Sequence, residues 1–300
     1  SAWLRRFDSS RPVHYEGFVR PEKGQGEFTL DTLSRGKGLT DIIGPMYPSI
    51  KLITDYVTTR EDDRPLIMCE FSHAMGNSCG SLSDYWEAIE VNHGLQGGYI
   101  WDWIDQGLEA FTEKGEKYWK YGGDFNDQPT DYDFCLNGIL FPDQTCKPAM
   151  AECKQLFSPV KISYSEDDTI SADTKRTVSA LRFKVENNFD FSSLDIVSAE
   201  WLLMHNGNVI DKGLLSLPPV KPGGAVDIAV QSKLLESIDT PQGLVLVHFN
   251  ILLNEDNIWA KKGHIIGQAE HIVKDTKIQA PICADQKDIQ NFIDNIEPCL

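Results

Sequence analysis

From Leu66 to Cys69 four apolar residues run without a break and stop at Glu70. A short continuous apolar run suits a strand buried on both faces of a parallel sheet, so this pattern predicts a strand that ends on a carboxylate. Ser72, His73, Gly76, Asn77 and Ser78 follow at once, a polar loop of the kind that carries ligand contacts on a barrel rim. The same spacing also admits a carboxylate at a helix N-terminus or one paired with Arg64. Residues 13–16, 41–47 and 97–101 are further strand candidates, each followed by a loop and a helical pattern. In one such pattern Leu82, Tyr85, Trp86 and Ile89 share a face at three-to-four spacing, and Pro148 opens a last helix.

The texture changes after Lys161. Seven runs of strand character follow at turn-punctuated spacing, which predicts an antiparallel β-sandwich. Val245, Val247, Phe249 and Ile251 alternate onto one face, and Asn206-Gly207 marks a hairpin between two runs. Residues 218–224 read as a loop between strands. His205, His248 and His264 are expected singly at strand surfaces. The predicted organisation is an α/β region over residues 1–157, a sandwich over 158–276, and a linker or the start of a further domain over 277–300.

Candidate chemistry lies in the first region. Across residues 94–108, Tyr99 and Ile100 lead into Trp101, Asp102 and Trp103, so a second strand ends in an aromatic and acidic rim. Indoles stack on the C–H faces of sugars and carboxylates accept bonds from sugar hydroxyls. Burial of either tryptophan in the core is the alternative. Residues 111–157 begin with an acidic, Gly- and aromatic-rich stretch that reads as a long loop over this rim, and Asn137-Gly138 within it reads as a turn.

A net charge of −17 disfavours nucleic-acid and anionic-membrane partners. Apolar runs fall far short of the roughly 20 residues that cross a bilayer. The seven cysteines are odd in number and form no C-x-x-C pair, which points to reduced thiols rather than a disulfide framework or zinc site.

The segments CEFSHAMGNS, LQGGYIWDWIDQ, YGGDFND and FCLNGILF, preceded by DIIGPMYPSI, occur in the order found in the bacterial-type β-galactosidases of glycoside hydrolase family 2, which the chain resembles over most of residues 1–160. The resemblance implies the C-terminal half of a TIM (β/α)8 barrel, strands five to eight, followed by an immunoglobulin-like β-sandwich. It implies a retaining hydrolase of terminal β-D-galactosides such as lactose, with Glu70 as the nucleophile. His73 would contact sugar hydroxyls, Tyr47 would adjoin the nucleophile, and Trp101 would form an apolar sugar platform. Phe134, through its backbone carbonyl, and Asn137, through its side chain, would hold sodium in a site completed from an absent domain. Magnesium would be held in the longer protein by ligands outside this chain.

The resemblance also places the acid/base glutamate in an Asn-Glu segment after strand four. The only Asn-Glu pair here, Asn254-Glu255, lies far downstream and reads as a loop. A full barrel takes about 250 residues, so the expectation is a fragment whose upstream half is missing and which is inactive by itself. Full length, the protein is expected to be a cytoplasmic homo-oligomer. The competing reading is a non-catalytic carbohydrate-binding or assembly module derived from such a hydrolase.

Overall fold

The computed structural model describes residues 1–21, 27–59, 61–165, 180–237 and 243–276. The tail over 277–300, expected as a linker, lies outside them. The chain divides into two units, Ser1–Phe157 and Ser158–Leu300.

The first unit opens with helix α1 (Ala2–Phe7), then α2 (Leu30–Leu33), α3 (Ile50–Thr59), strand β1 (Leu66–Phe71), α4 (Leu82–Val91) and β2 (Leu95–Ile100). β1 and β2 pair in parallel. Parallel bridges join Ile43 to Leu66, Met46 to Glu70 and His14 to Ile42. Four extended segments therefore lie side by side in chain order, as the α/β reading requires. The first two differ from expectation in making isolated bridges rather than a continuous ladder. Pro12, Pro45 and Pro48 lack the N–H a ladder needs, and Cys69 N–H bonds to the Pro45 carbonyl at 3.1 Å.

Helices cover this sheet with their apolar faces. Ile53 and Tyr56 of α3 and Leu82 of α4 are buried with Leu66, Met68 and Phe71 of β1. Each such side chain contributes about 1.5–3 kcal/mol through burial. After β2 comes an antiparallel hairpin, β3 (Leu108–Phe111) and β4 (Lys117–Lys120), turning at Gly115 with φ 81°. The sequence reading had placed its second strand inside one irregular loop. Helix α5 (Pro148–Leu156) closes the unit with proline in its first turn.

The second unit contains β5 (Val160–Tyr164), β6 (Ala180–Asn187), β7 (Val197–His205), β8 (Asn208–Ser216), β9 (Ala225–Gln231), β10 (Gly243–Leu253) and β11 (Ile265–Thr276). They form two antiparallel sheets, in the orders β11-β10-β7-β8 and β5-β6-β9. Val245, Val247, Phe249 and Ile251 face the shared core. Asn206 and Gly207 both have positive φ, 47° and 80°, which suits a tight hairpin. His248 lies on the outer face of β10, opposite Val247 and Phe249, where it is half-buried, its Nδ1 2.8 Å from Glu270 and its Nε2 3.0 Å from the Asn250 amide oxygen.

Candidate active site

The parallel segments bring their C-terminal ends together, and with them the residues singled out above. Glu70 sits next to last in β1. Tyr47, one segment over, donates its N–H to the Glu70 carbonyl at 2.8 Å. On the other side Trp101 donates its N–H to the Phe71 carbonyl at 3.2 Å, and Ala74 returns one to the Trp101 carbonyl at 2.8 Å. Tyr47 and Ser72 both adopt left-handed backbone, φ 48° and 50°. For a non-glycine residue this costs of order 1–3 kcal/mol, and such outliers cluster at ligand sites.

The side chains converge as well. Tyr47 is exposed as a whole, but partial desolvation of its phenol, and then the neighbouring Glu70 carboxylate, push that group well above its ordinary range, so it stays protonated beside the carboxylate. The His73 ring lies 6.3 Å from that of Tyr47 and stacks on Phe134 at 5.6 Å and 22°. His73 Nε2 and Ser72 Oγ are buried without a hydrogen-bond partner. Orphaned polar atoms of this kind beside a carboxylate are free to bond a polar ligand. Trp101 and Trp103 are exposed, as are Tyr47 and Phe134, so the aromatic rim is open surface and core burial of the indoles does not occur.

Asp102 is occupied locally. Its carboxylate accepts the Trp103 N–H and, at 2.9 Å, the Gln106 amide. Residues 135–140 run alongside it. The Asp102 N–H donates to the Asn137 carbonyl at 2.6 Å, and the Ile139 N–H donates to the Asp102 carbonyl at 2.9 Å. Asn137 is buried. Its Nδ2 donates to the Phe134 carbonyl at 3.1 Å while its Oδ1 has no partner. Gly138 does not form the plain turn that is the alternative to the sodium reading of this dipeptide. A Cβ there would stand 2.3 Å from the backbone of Ile104 and Asp105, so glycine is required by close approach.

Three further residues escaped the sequence reading. Glu16 opens a 3-10 turn (Glu16–Phe18) just after the first extended segment, and its charge joins that of Glu70, after burial, in pushing the Cys69 thiol up to about 11. Its place at the end of a strand candidate was the available signal. Asp105 and Lys147 form a buried ion pair at 2.7 Å, 42 residues apart in sequence, which no local pattern discloses. Among the described residues no group of three or more His, Cys, Asp or Glu is arranged to hold a metal ion.

Residues 1–162 match the family model for the TIM barrel domain of glycosyl hydrolases family 2, and residues 183–274 match that for beta-galactosidase domain 4. Beta-galactosidases of Vibrio vulnificus strains YJ016 and CMCP6 are 37% and 36% identical over 279 residues, 88% of this chain and 24% of theirs. That of Alteromonas mediterranea is 35% identical over 281 residues, 89% of this chain and 24% of its own. The chain thus spans about a quarter of the length of the curated relatives it matches.

Proposed function

Because the chain belongs to glycosyl hydrolases family 2, its first unit being the C-terminal part of the family's TIM barrel, we propose that it carries the nucleophile side of a retaining β-galactosidase site. The observation that carries this reading is Glu70, at the C-terminal end of a parallel strand, with the Tyr47 N–H on its carbonyl and the Tyr47 phenol near its carboxylate. In such barrels that end of the strands is where catalytic groups gather.

The mechanism follows from the chemistry of a lone carboxylate in this position. Glu70 attacks the anomeric carbon of a terminal β-D-galactoside such as lactose, and the bond to the leaving oxygen breaks as an ester to Glu70 forms. A second carboxyl about 5–5.5 Å away protonates that oxygen and then activates the water that releases the sugar with retention. That acid/base comes from residues outside these 300, so the chain by itself turns over little substrate. Tyr47 orients the nucleophile and donates to it again as the carboxylate re-forms. His73 Nε2 and Ser72 Oγ take sugar hydroxyls, and Trp101 offers an apolar face to the ring.

A sodium ion beside the sugar fits the donors present. Asn137 Oδ1 is a buried oxygen without a partner, and the Phe134 carbonyl keeps one lone pair beyond the bond from Asn137 Nδ2. Bound there, the ion supplies a fixed positive charge for a substrate oxygen. Magnesium would take its ligands from outside the chain.

The test is mechanism-based labelling of the full-length protein with a 2-fluoro-galactoside, followed by peptide mapping. The sugar is expected on Glu70. A label on any other residue overturns the assignment.

A further inference from the structure

The sodium reading depends on where the Asn137 side chain points, and therefore on what fixes its backbone. Asp102 holds Asn137 and Ile139 from one side. Gly138, between them, sends its N–H the other way, to Oδ1 of Asp105 at 2.8 Å. That same oxygen receives the Lys147 ammonium at 2.7 Å. Lys147 in turn donates its backbone N–H to the Ile139 carbonyl at 3.0 Å and sets its ammonium 5.3 Å from the centre of the Phe141 ring. One carboxylate oxygen thereby joins both ends of the 138–147 loop. The side chains are 5% and 12% exposed, so the pair is shielded from solvent.

We infer that Asp105 is a positioning residue for the Asn137 amide, acting through the Gly138 N–H, and that it sets how tightly the Asn137 and Phe134 oxygens hold sodium. The inference deepens the sodium reading above and rests on it. An ionised acceptor makes a shorter and stronger bond to an N–H than a neutral one. Lys147 supplies the countercharge that a buried carboxylate requires. Gly138 transmits the constraint because the backbone of Ile104 and Asp105 leaves it no room to shift toward them. Asp105 makes no hydrogen bond to the Asn137 side chain or the Phe134 carbonyl; its effect on the ion is entirely through the chain between.

The experiment follows the Asn137 side-chain amide resonances by NMR in the full-length protein, selectively ¹⁵N-labelled at asparagine, titrating sodium chloride against potassium chloride at equal ionic strength. The wild-type chain is expected to show a sodium-specific displacement. Asp105→Asn, which leaves the Gly138 N–H only a neutral amide acceptor, should raise its midpoint about 10-fold, the lower end of the usual effect of disturbing a group that orients a metal ligand. Lys147→Met, which keeps the Asp105–Gly138 bond, should raise it less. Asp105→Asn combined with Lys147→Met leaves no unpaired buried charge, guards against misfolding, and should reproduce the rise of Asp105→Asn. Core methyl resonances of Leu66 and Met68 report whether each variant is folded. A double variant that titrates like wild type overturns the inference alone. A wild-type chain that answers sodium and potassium identically overturns the sodium reading, and the inference with it.

Discussion

Tyr47 meets Glu70 at two places: its N–H donates to the Glu70 carbonyl at 2.8 Å, and its phenol neighbours the Glu70 carboxylate. The first bond fixes the loop after one segment against the end of β1. The second contact sets a protonated phenol beside the proposed nucleophile.

Tyr47→Phe in the full-length protein removes only the phenol's contact with the carboxylate. A hydrogen bond to a charged group contributes about 1.5–3 kcal/mol, so kcat/KM should fall roughly 10- to 150-fold with the fold intact. Steady-state kinetics with a nitrophenyl galactoside measures it. An unchanged kcat/KM would remove Tyr47 from the site.

The thiols give a prediction independent of activity. Burial, reinforced by neighbouring charge, pushes Cys69 and Cys153 up to about 11, whereas Cys146 is exposed. At pH 8 an aromatic disulfide reagent should modify Cys146 rapidly and Cys69 and Cys153 only on unfolding, because the thiolate is the reactive form. The raised values also carry a sign for stability. The native chain keeps protons that the unfolded chain releases above its ordinary thiol range near 9, so stability is full below that range and declines as pH rises toward 11. Peptide mapping of early modification checks the order; Cys69 reacting before Cys146 would contradict it.

In the second unit the indole of Trp201 lies across Gly213 of β8, where a Cβ would stand 2.7 Å from the ring. Gly213→Ala should destabilise the sandwich by about 1–3 kcal/mol through overpacking. Phe249→Ala should cost about 3–5 kcal/mol through a cavity. Urea denaturation followed by Trp fluorescence ranks the two, and a neutral Gly213→Ala would mean the ring has room to move.

What the amino-acid pattern disclosed was whatever repeats at short range. The apolar run into Glu70 and the alternation through Val245, Val247, Phe249 and Ile251 announce a buried parallel strand and a sandwich strand, because burial on two faces or one leaves those periods. The β3–β4 hairpin was half hidden, since Lys117 to Lys120 mixes charge and aromatics without a clean period. Gly138 looked like a turn because glycine serves close approach and positive φ alike. Asp105 and Lys147 meet only through the fold, and the orphaned atoms of Ser72 and His73 exist only once the segments converge.

The last prediction concerns Asp62 and Arg64, just before β1. Arg64 donates from Nε to both Asp62 oxygens at 3.0 Å and from Nη2 to the carbonyls of Ser34 and Arg35, so it binds the end of α2 to the start of the strand that carries Glu70. Both side chains are almost fully buried. Burial alone would push the Asp62 carboxyl up, but the Arg64 hydrogen bonds and charge outweigh it and hold the group below the usual carboxylate range. The stabilisation is therefore present above the unfolded value near 3.9 and is lost as pH falls through the lower native value. Asp62→Asn leaves the Arg64 guanidinium buried and without its partner charge, which should cost about 3–5 kcal/mol at pH 7. As pH falls through the lowered native value the difference between wild type and variant should shrink, since the wild-type carboxylate is then being protonated too. Urea unfolding of the 300-residue chain at pH 7 and pH 3, read by near-ultraviolet circular dichroism, tests both parts. Equal midpoints for the two proteins at pH 7 would show that the pair contributes nothing to holding β1 in place.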